Sequence, residues 1–176
     1  MEQKKPISHF VAGLITAGIL VAYSLITSML TGGKAGPGGG WPLYLVIIVS
    51  LCLFINLYGN AKGNYESFGN LFAYGFKTTA ILTLVFILFI IALSFIMPEM
   101  KEQSLEVARQ EMEKQGKLSD EDITKSIELV SKYYWAFMIG STVLGFIIIG
   151  AIGSLIGAAI TKKRPYNPMM DQLDPK

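Results

Sequence analysis

Four long apolar stretches that contain no Asp, Glu, Lys, Arg or His dominate this chain. They cover residues 10–33, 41–61, 78–98 and 134–161. Each stretch can cross a hydrocarbon core of about 30 Å as a helix, which takes roughly 20 residues. Because a backbone in lipid must satisfy its own hydrogen bonds, we expect helices here rather than strands. The sequence therefore predicts an all-α integral membrane four-helix bundle.

The domain organisation follows from these stretches. We predict a single multi-pass membrane domain over residues 1–176, with spans at about 10–31, 41–60, 76–98 and 134–161. The first apolar run is too long for the hydrophobic region of a secretory signal, so we interpret it as a retained helix. The charged segment at 99–133 is expected to form an extramembrane helical hairpin between the third and fourth spans.

Charge indicates how the chain lies in the membrane. The net charge of +2 is dispersed, which argues against binding to nucleic acid. Lys4 and Lys5 precede the first span, and a basic triplet at 162–164 follows the last one. Because positive residues beside spans favour the cytoplasmic side, we expect both termini in the cytoplasm. Residues 99–132 hold nine acids and six bases, which is compatible with a periplasmic hairpin.

Residues 64–77 have an amphipathic pattern. Aromatic side chains share one helical face, and Glu66, Asn70 and Lys77 share the opposite face. The segment is either an interfacial helix or the beginning of the third span. Together with Asn56, the amide within the second span, these three form a candidate polar cluster for a headgroup or a solute. The competing interpretation, a solvated helix face with Asn56 bonded to a neighbouring helix, explains the same pattern.

The hairpin is predicted to contain two helices. Gly116 can end the first helix in a left-handed conformation, and Ser119 to Asp122 has the form of a capping box for the second. Charges spaced i,i+4 support both helices, and no breaker separates the second helix from the fourth span. Each helix carries a narrow apolar stripe, which must bury against the other stripe, a second copy or a partner protein. The candidate partner surface comprises Leu105, Met112, Ile123, Ile127 and Val130.

Small residues mark sites of close helix packing. Gly150, Gly153 and Gly157 lie along one side of the fourth span. In the first span, Gly13 and Ala17 are four residues apart, as Gly153 and Gly157 are. Without large side chains between them, helix backbones can approach and gain dispersion contacts. Packing within one chain explains these residues as well as dimerisation does, and we favour the former.

The sequence contains no set of residues typical of an active site. Enzymes acting on lipids or cell-wall precursors need clustered acids, a nucleophile with a base, or a metal, and the sequence assembles none of these. His9 has no metal-ligating neighbour in sequence, and Cys52 is interpreted as an apolar filler. We therefore expect no catalytic residues, no cofactor and no metal.

Two segments resemble a known family. Residues 67–76 (SFGNLFAYGF) and 153–163 (GSLIGAAITKK) are similar to a family of small bacterial membrane proteins of unknown function, and the similarity extends over nearly the whole chain. The resemblance implies four spans, a charged helical excursion before the fourth, a basic end and the bacterial inner membrane. The family supplies no catalytic or binding residues that could be transferred.

We rank a noncatalytic role first. The protein would be an accessory or structural subunit of an envelope complex, or a homo-oligomer, with membrane lipids, itself or another membrane or periplasmic protein as partners. A small dimeric transporter or channel for a neutral solute or lipid ranks second, its path lined by Asn56, Thr78, Thr79 and Ser94. An acid within a span, as expected of a proton-coupled exporter, is missing from the sequence.

Overall fold

The computed structural model describes residues 5–31, 40–97 and 99–163, and all regular structure in this part of the chain is helical. These described residues form six helices: α1 His9–Thr31, α2 Trp41–Ala61, α3 Phe68–Ile96, α4 Met100–Gln115, α5 Asp120–Lys132 and α6 Tyr134–Ile160. Four of them, α1, α2, α3 and α6, are long and apolar enough to cross a membrane. The chain is thus a multi-pass, all-helical membrane protein, as predicted.

The start of α3 resolves the ambiguity over residues 64–77. Gly63 and Asn64 turn the chain after α2 with φ angles of 68° and 65°. The Ser67 hydroxyl then accepts a hydrogen bond from the Asn70 amide at 3.2 Å and caps α3. Since nothing breaks the helix after this cap, residues 68–77 form the first turns of the same helix as the third span, not a separate interfacial helix. The predicted end of that span at 98 and the connection at 32–39 lie outside the described residues.

The spans pack around α3. This helix contacts α1 on one side and α6 on the other, and α2 packs mainly against α6 while also touching α3. Leu20, Leu51, Leu82 and Phe146 are among the buried apolar residues that α1, α2, α3 and α6 contribute to one common core.

Burial is confined to one half of the bundle. The last buried residue of α1 is Leu20 and that of α3 is Phe86, whereas α2 is first buried at Ile47 and α6 at Phe146. We call this part, in which the described chain begins and ends, the packed half. The other half presents apolar side chains outward along all four helices. Such exposure suits a chain whose solvent is lipid, because acyl chains are as apolar as the side chains they contact.

Small residues allow the close contacts of the packed half. A Cβ atom at Gly13 would lie 2.7 Å from Ile81 Cβ, and one at Gly150 would overlap the Thr79 side chain, both in α3. Gly153 and Gly157 face α2, where added Cβ atoms would lie 3.3 Å from Cα atoms of Ile48 and Cys52, respectively. Ala17 is fully buried. The small residues therefore lie at contacts between helices of this chain.

The hairpin has the predicted caps. Gly116 ends α4 with a φ of 60°, and the Ser119 hydroxyl accepts a hydrogen bond from the Asp122 amide at 3.2 Å at the start of α5. Of the expected i,i+4 charge pairs, Glu121 and Lys125 form an ion pair at 2.7 Å; the second ion pair among the described residues joins Glu111 and Lys114.

The junction of α5 and α6 differs from the prediction of one continuous helix. Tyr133 leaves the helical conformation, with φ −109° and ψ 26°, and separates the two helices. Backbone hydrogen bonds from Tyr133 to Leu129 and from Phe137 to Tyr133 nevertheless continue across the junction. The break is therefore a departure from helical backbone angles at a single residue.

Candidate functional site

An open pocket of about 470 Å³ lies at the end of the packed half. One wall is the segment 6–9, which leads into α1. The α2 side contributes Tyr58 and the residues Lys62 and Glu66 that follow this helix, and α3 contributes Asn70, Tyr74 and Lys77. We call this cavity the end pocket.

The length and polarity of α3 place the end pocket at headgroup depth. Asn70, Tyr74 and Lys77 lie four and three residues apart, so they follow one helical face. With 29 residues, α3 is about 43 Å long and exceeds a hydrocarbon core of about 30 Å. Since its polar residues are concentrated at the N-terminal end, the excess length belongs there.

Two tyrosines form the inner wall of the end pocket. The rings of Tyr58 and Tyr74 stack with centroids 4.2 Å apart and planes inclined by 15°. The Tyr74 hydroxyl donates a hydrogen bond to the Ile7 carbonyl at 3.0 Å. Ile7 itself packs against the apolar core. These contacts hold the segment before α1 beside α2 and α3, and so define one side of the cavity.

The carboxylate of Glu66 is hydrogen-bonded to a neutral group. It accepts a hydrogen bond from the Asn70 side-chain amide at 2.8 Å. Within the described residues, both ion pairs within 4.0 Å lie in the α4–α5 hairpin. Lys62 and Lys77 therefore line the end pocket without a carboxylate partner among those residues.

The structure brings together three of the four residues of the predicted polar cluster. Glu66, Asn70 and Lys77 all line the end pocket. The prediction for Asn56 needs correction, because its side-chain oxygen accepts a hydrogen bond from Asn60 at 2.7 Å, one turn away in α2, instead of bonding to a neighbouring helix. Residues four positions apart are neighbours on a helix, so Asn60 can satisfy the Asn56 side chain without any contact between helices.

The other polar residues of the end pocket were not predicted from the sequence. They come from three separate segments, and only the packing of those segments makes neighbours of Ser8, His9, Tyr58, Lys62 and Tyr74. The one local signal was charge: Lys62 follows the second predicted span, at the end of the bundle where Lys5 precedes the first span and Lys162 and Lys163 follow the fourth.

The hairpin surface also differs from the one predicted. Ile123 and Ile127 are buried, with exposed fractions of 3% and 9%, because α4 and α5 pack against each other. Their stripe is thus taken up by the hairpin and is not available to a partner in this conformation. The remaining predicted residues, Leu105, Met112 and Val130, are partly buried.

The apolar surface that the hairpin does expose lies elsewhere. Leu118, between the helices, is 47% exposed, and Leu129, on α5, is 53% exposed. Neither belongs to the stripes identified from the sequence. Leu129 lies on the side of α5 opposite the buried isoleucines, a position that the periodicity assigns to solvent.

No curated protein matches the chain. No solved structure matches it either. A family model matches residues 12–163, from the first turns of α1 to the residues that follow α6. The chain therefore belongs to the family described as protein of unknown function, DUF4199.

Proposed function

We propose that the protein is a noncatalytic accessory or structural component of the bacterial inner membrane, which acts as a subunit of an envelope complex or as a homo-oligomer. The α4–α5 hairpin would be its docking element. Both termini would lie in the cytoplasm and the hairpin in the periplasm. Membrane lipids would surround the bundle.

One observation supports this proposal: the two helices of the hairpin pack against each other, yet two of its leucines remain exposed. Its own apolar stripes are satisfied by the contact between α4 and α5, and its caps fix both helices. Leu118 and Leu129 nevertheless remain about half exposed among charged residues. Apolar residues surrounded by a polar rim are typical of protein interaction sites.

The base of the hairpin is attached to the membrane bundle. The hydroxyls of Ser104 and Tyr134 lie 3.5 Å apart, and the Lys101 ammonium lies 5.8 Å from the centroid of the Tyr134 ring. These contacts join the start of α4 to the start of α6. A partner bound to the hairpin would therefore be held at a defined position relative to the spans.

Charge favours a partner with a basic surface. Residues 99–132 carry nine acidic and six basic residues, a net charge of −3. Complementary charge steers association and excludes wrong partners. A second copy of the hairpin would bring two negatively charged surfaces together, so a foreign protein fits this surface better than a second copy does.

The test compares two double variants in native membranes. A C-terminally tagged chain with Leu118→Ser and Leu129→Ser is crosslinked, solubilised gently and analysed by mass spectrometry. We expect a stoichiometric partner, captured by the unsubstituted chain, to be lost. The control combines Gln110→Ser with Lys114→Ser, which also changes two exposed residues of the hairpin, on α4. It should retain the partner.

The outcome distinguishes a subunit of an envelope complex from a homo-oligomer. A foreign protein that depends on the two leucines supports an accessory subunit, and self-association with the same dependence supports a homo-oligomer. Capture that both double variants leave unchanged, or a monomeric particle with no bound protein, would contradict the proposal.

The second candidate is a small dimeric transporter or channel, and the end pocket is the observation in its favour. The cavity is open at the bundle end and has polar walls. The interior of the packed half is, however, occupied by buried Leu71, Thr78 and Leu82. A transporter would have to move these side chains. Reconstitution in liposomes, with release of a trapped neutral dye or movement of a labelled lipid as the signal, tests this candidate directly.

A further inference from the structure

The most informative feature outside the hairpin is the balance of charge in the end pocket. Lys62, Lys77 and His9 line it together with one carboxylate, Glu66. The Asn70 side-chain amide donates a hydrogen bond to that carboxylate. With two ammonium groups and one carboxylate, the lining carries a net positive charge, which favours an anion.

The first turn of α1 adds to this positive potential. The Ser8 hydroxyl accepts a hydrogen bond from the Val11 amide at 3.2 Å and so caps the helix. Ser8 and His9 both line the end pocket, which places the positive end of the α1 dipole at its wall. Helix N-termini favour anions such as phosphate, and here the effect acts beside two lysines.

The walls of the pocket are held in place by tertiary contacts. The Tyr58–Tyr74 stack fixes α2 against α3, and the hydrogen bond from Tyr74 to Ile7 fixes the segment before α1. These groups come from parts of the chain that are far apart in sequence. The cationic side chains thus project from a preformed site rather than from a single flexible loop.

We propose that the end pocket binds a phosphate group, with Lys62 and Lys77 as its charge partners. Phosphate oxygens accept charge-assisted hydrogen bonds from ammonium groups and helix N-termini. The phosphate can belong to an anionic phospholipid or can be free in solution. This site is separate from the hairpin, so it does not depend on the accessory role proposed above.

The experiment measures binding to the purified full-length chain in an uncharged detergent. Three probes are titrated separately: phosphatidylglycerol, inorganic phosphate, and oleate as an anion without phosphate. Thermal stability and native mass spectrometry report binding. We expect phosphatidylglycerol to bind and to raise the unfolding temperature, and oleate to bind at least about tenfold more weakly. If inorganic phosphate binds and displaces the lipid, free phosphate is a ligand of the site. If it does not, the lipid headgroup is the ligand.

The variants separate the pocket from general surface charge. Lys62→Gln with Lys77→Gln removes two charges inside the end pocket, and we expect about a tenfold or larger loss of affinity for phosphatidylglycerol. Lys162→Gln with Lys163→Gln removes two charges at the same end of the bundle but outside the pocket lining, and it should change affinity much less. Lys62→Arg with Lys77→Arg, which keeps both charges, should retain binding and shows that the site still folds.

Two results would overturn the proposal. Equal losses in the two glutamine variants would mean that the lipid responds only to the overall charge of the surface. Oleate binding as tight as phosphatidylglycerol binding would mean that phosphate is not recognised. Neither result would affect the test of the hairpin, which uses different residues and a different measurement.

Discussion

The hydroxyl of Tyr74 and the carbonyl of Ile7 are hydrogen-bonded at 3.0 Å although 67 positions separate them in sequence. This bond holds the segment before α1 against α3 and forms one side of the end pocket. Because the Tyr74 ring also stacks on Tyr58, the ring and the hydroxyl make separable contributions.

Tyr74→Phe should release the segment before α1 while leaving the bundle folded. The substitution keeps the aromatic ring and removes a hydrogen bond worth about 1 kcal/mol. We expect faster amide hydrogen exchange near Val11 and Ala12, whose amides bond to Ser8. Exchange in α5 serves as the internal control. Unchanged exchange at the start of α1 would show that other contacts hold this segment.

Gly13→Ala should destabilise the packed half. The added Cβ atom would lie 2.7 Å from Ile81 Cβ and 3.0 Å from the Thr78 carbonyl oxygen, so α1 and α3 would have to move apart. Overpacking of this kind costs about 1–3 kcal/mol. Thermal unfolding in detergent measures the effect.

Gly18→Ala is the matched control on the same helix. An added Cβ atom there would meet no atom within 4 Å. Because alanine is the better helix former, the variant should be as stable as the original chain or slightly more stable. Equal destabilisation by Gly13→Ala and Gly18→Ala would contradict the close approach of α1 to α3.

Ser119→Ala should fray the start of α5. It removes the side-chain oxygen that accepts from the Asp122 amide, a cap worth about 1 kcal/mol. Hydrogen exchange of the Asp122 and Ile123 amides should accelerate, while that of the α3 amides should not. Thr124→Ala, an exposed change within the same helix, should have a smaller effect at these two amides.

The orientation can be tested by cysteine labelling. In a Cys52→Ala background, Lys117→Cys places a thiol between α4 and α5, and Lys162→Cys places one just after α6. With the hairpin in the periplasm, a membrane-impermeant maleimide should label the first variant in intact spheroplasts and the second only after lysis. The opposite pattern would reverse the orientation.

The architecture could be predicted because hydropathy is a local property. A run of about twenty apolar residues predicts a span whatever its neighbours are, and Gly116 and Ser119 end and begin helices through local backbone chemistry. The beginning of α3 could not be decided from the sequence, because an amphipathic segment suits an interfacial helix as well as the first turns of a span.

The end pocket could be predicted only in part. Glu66, Asn70 and Lys77 share one helical face, so periodicity finds them together. His9 and Lys62 join them only through the packing of α1 and α2 against α3. Similarly, the pattern identifies Ile123 and Ile127 as apolar but cannot say which surface buries them, and here it is α4.

Because burial is confined to one half of the bundle, the helices are closely packed in one leaflet of the bilayer and loosely packed in the other. In one leaflet, four helices share a common core that extends from Leu20 and Phe86 to the end pocket. In the other leaflet, none of the described residues of these helices is fully buried. We therefore expect a change of lateral pressure to alter the spacing between helices more in the second leaflet than in the first.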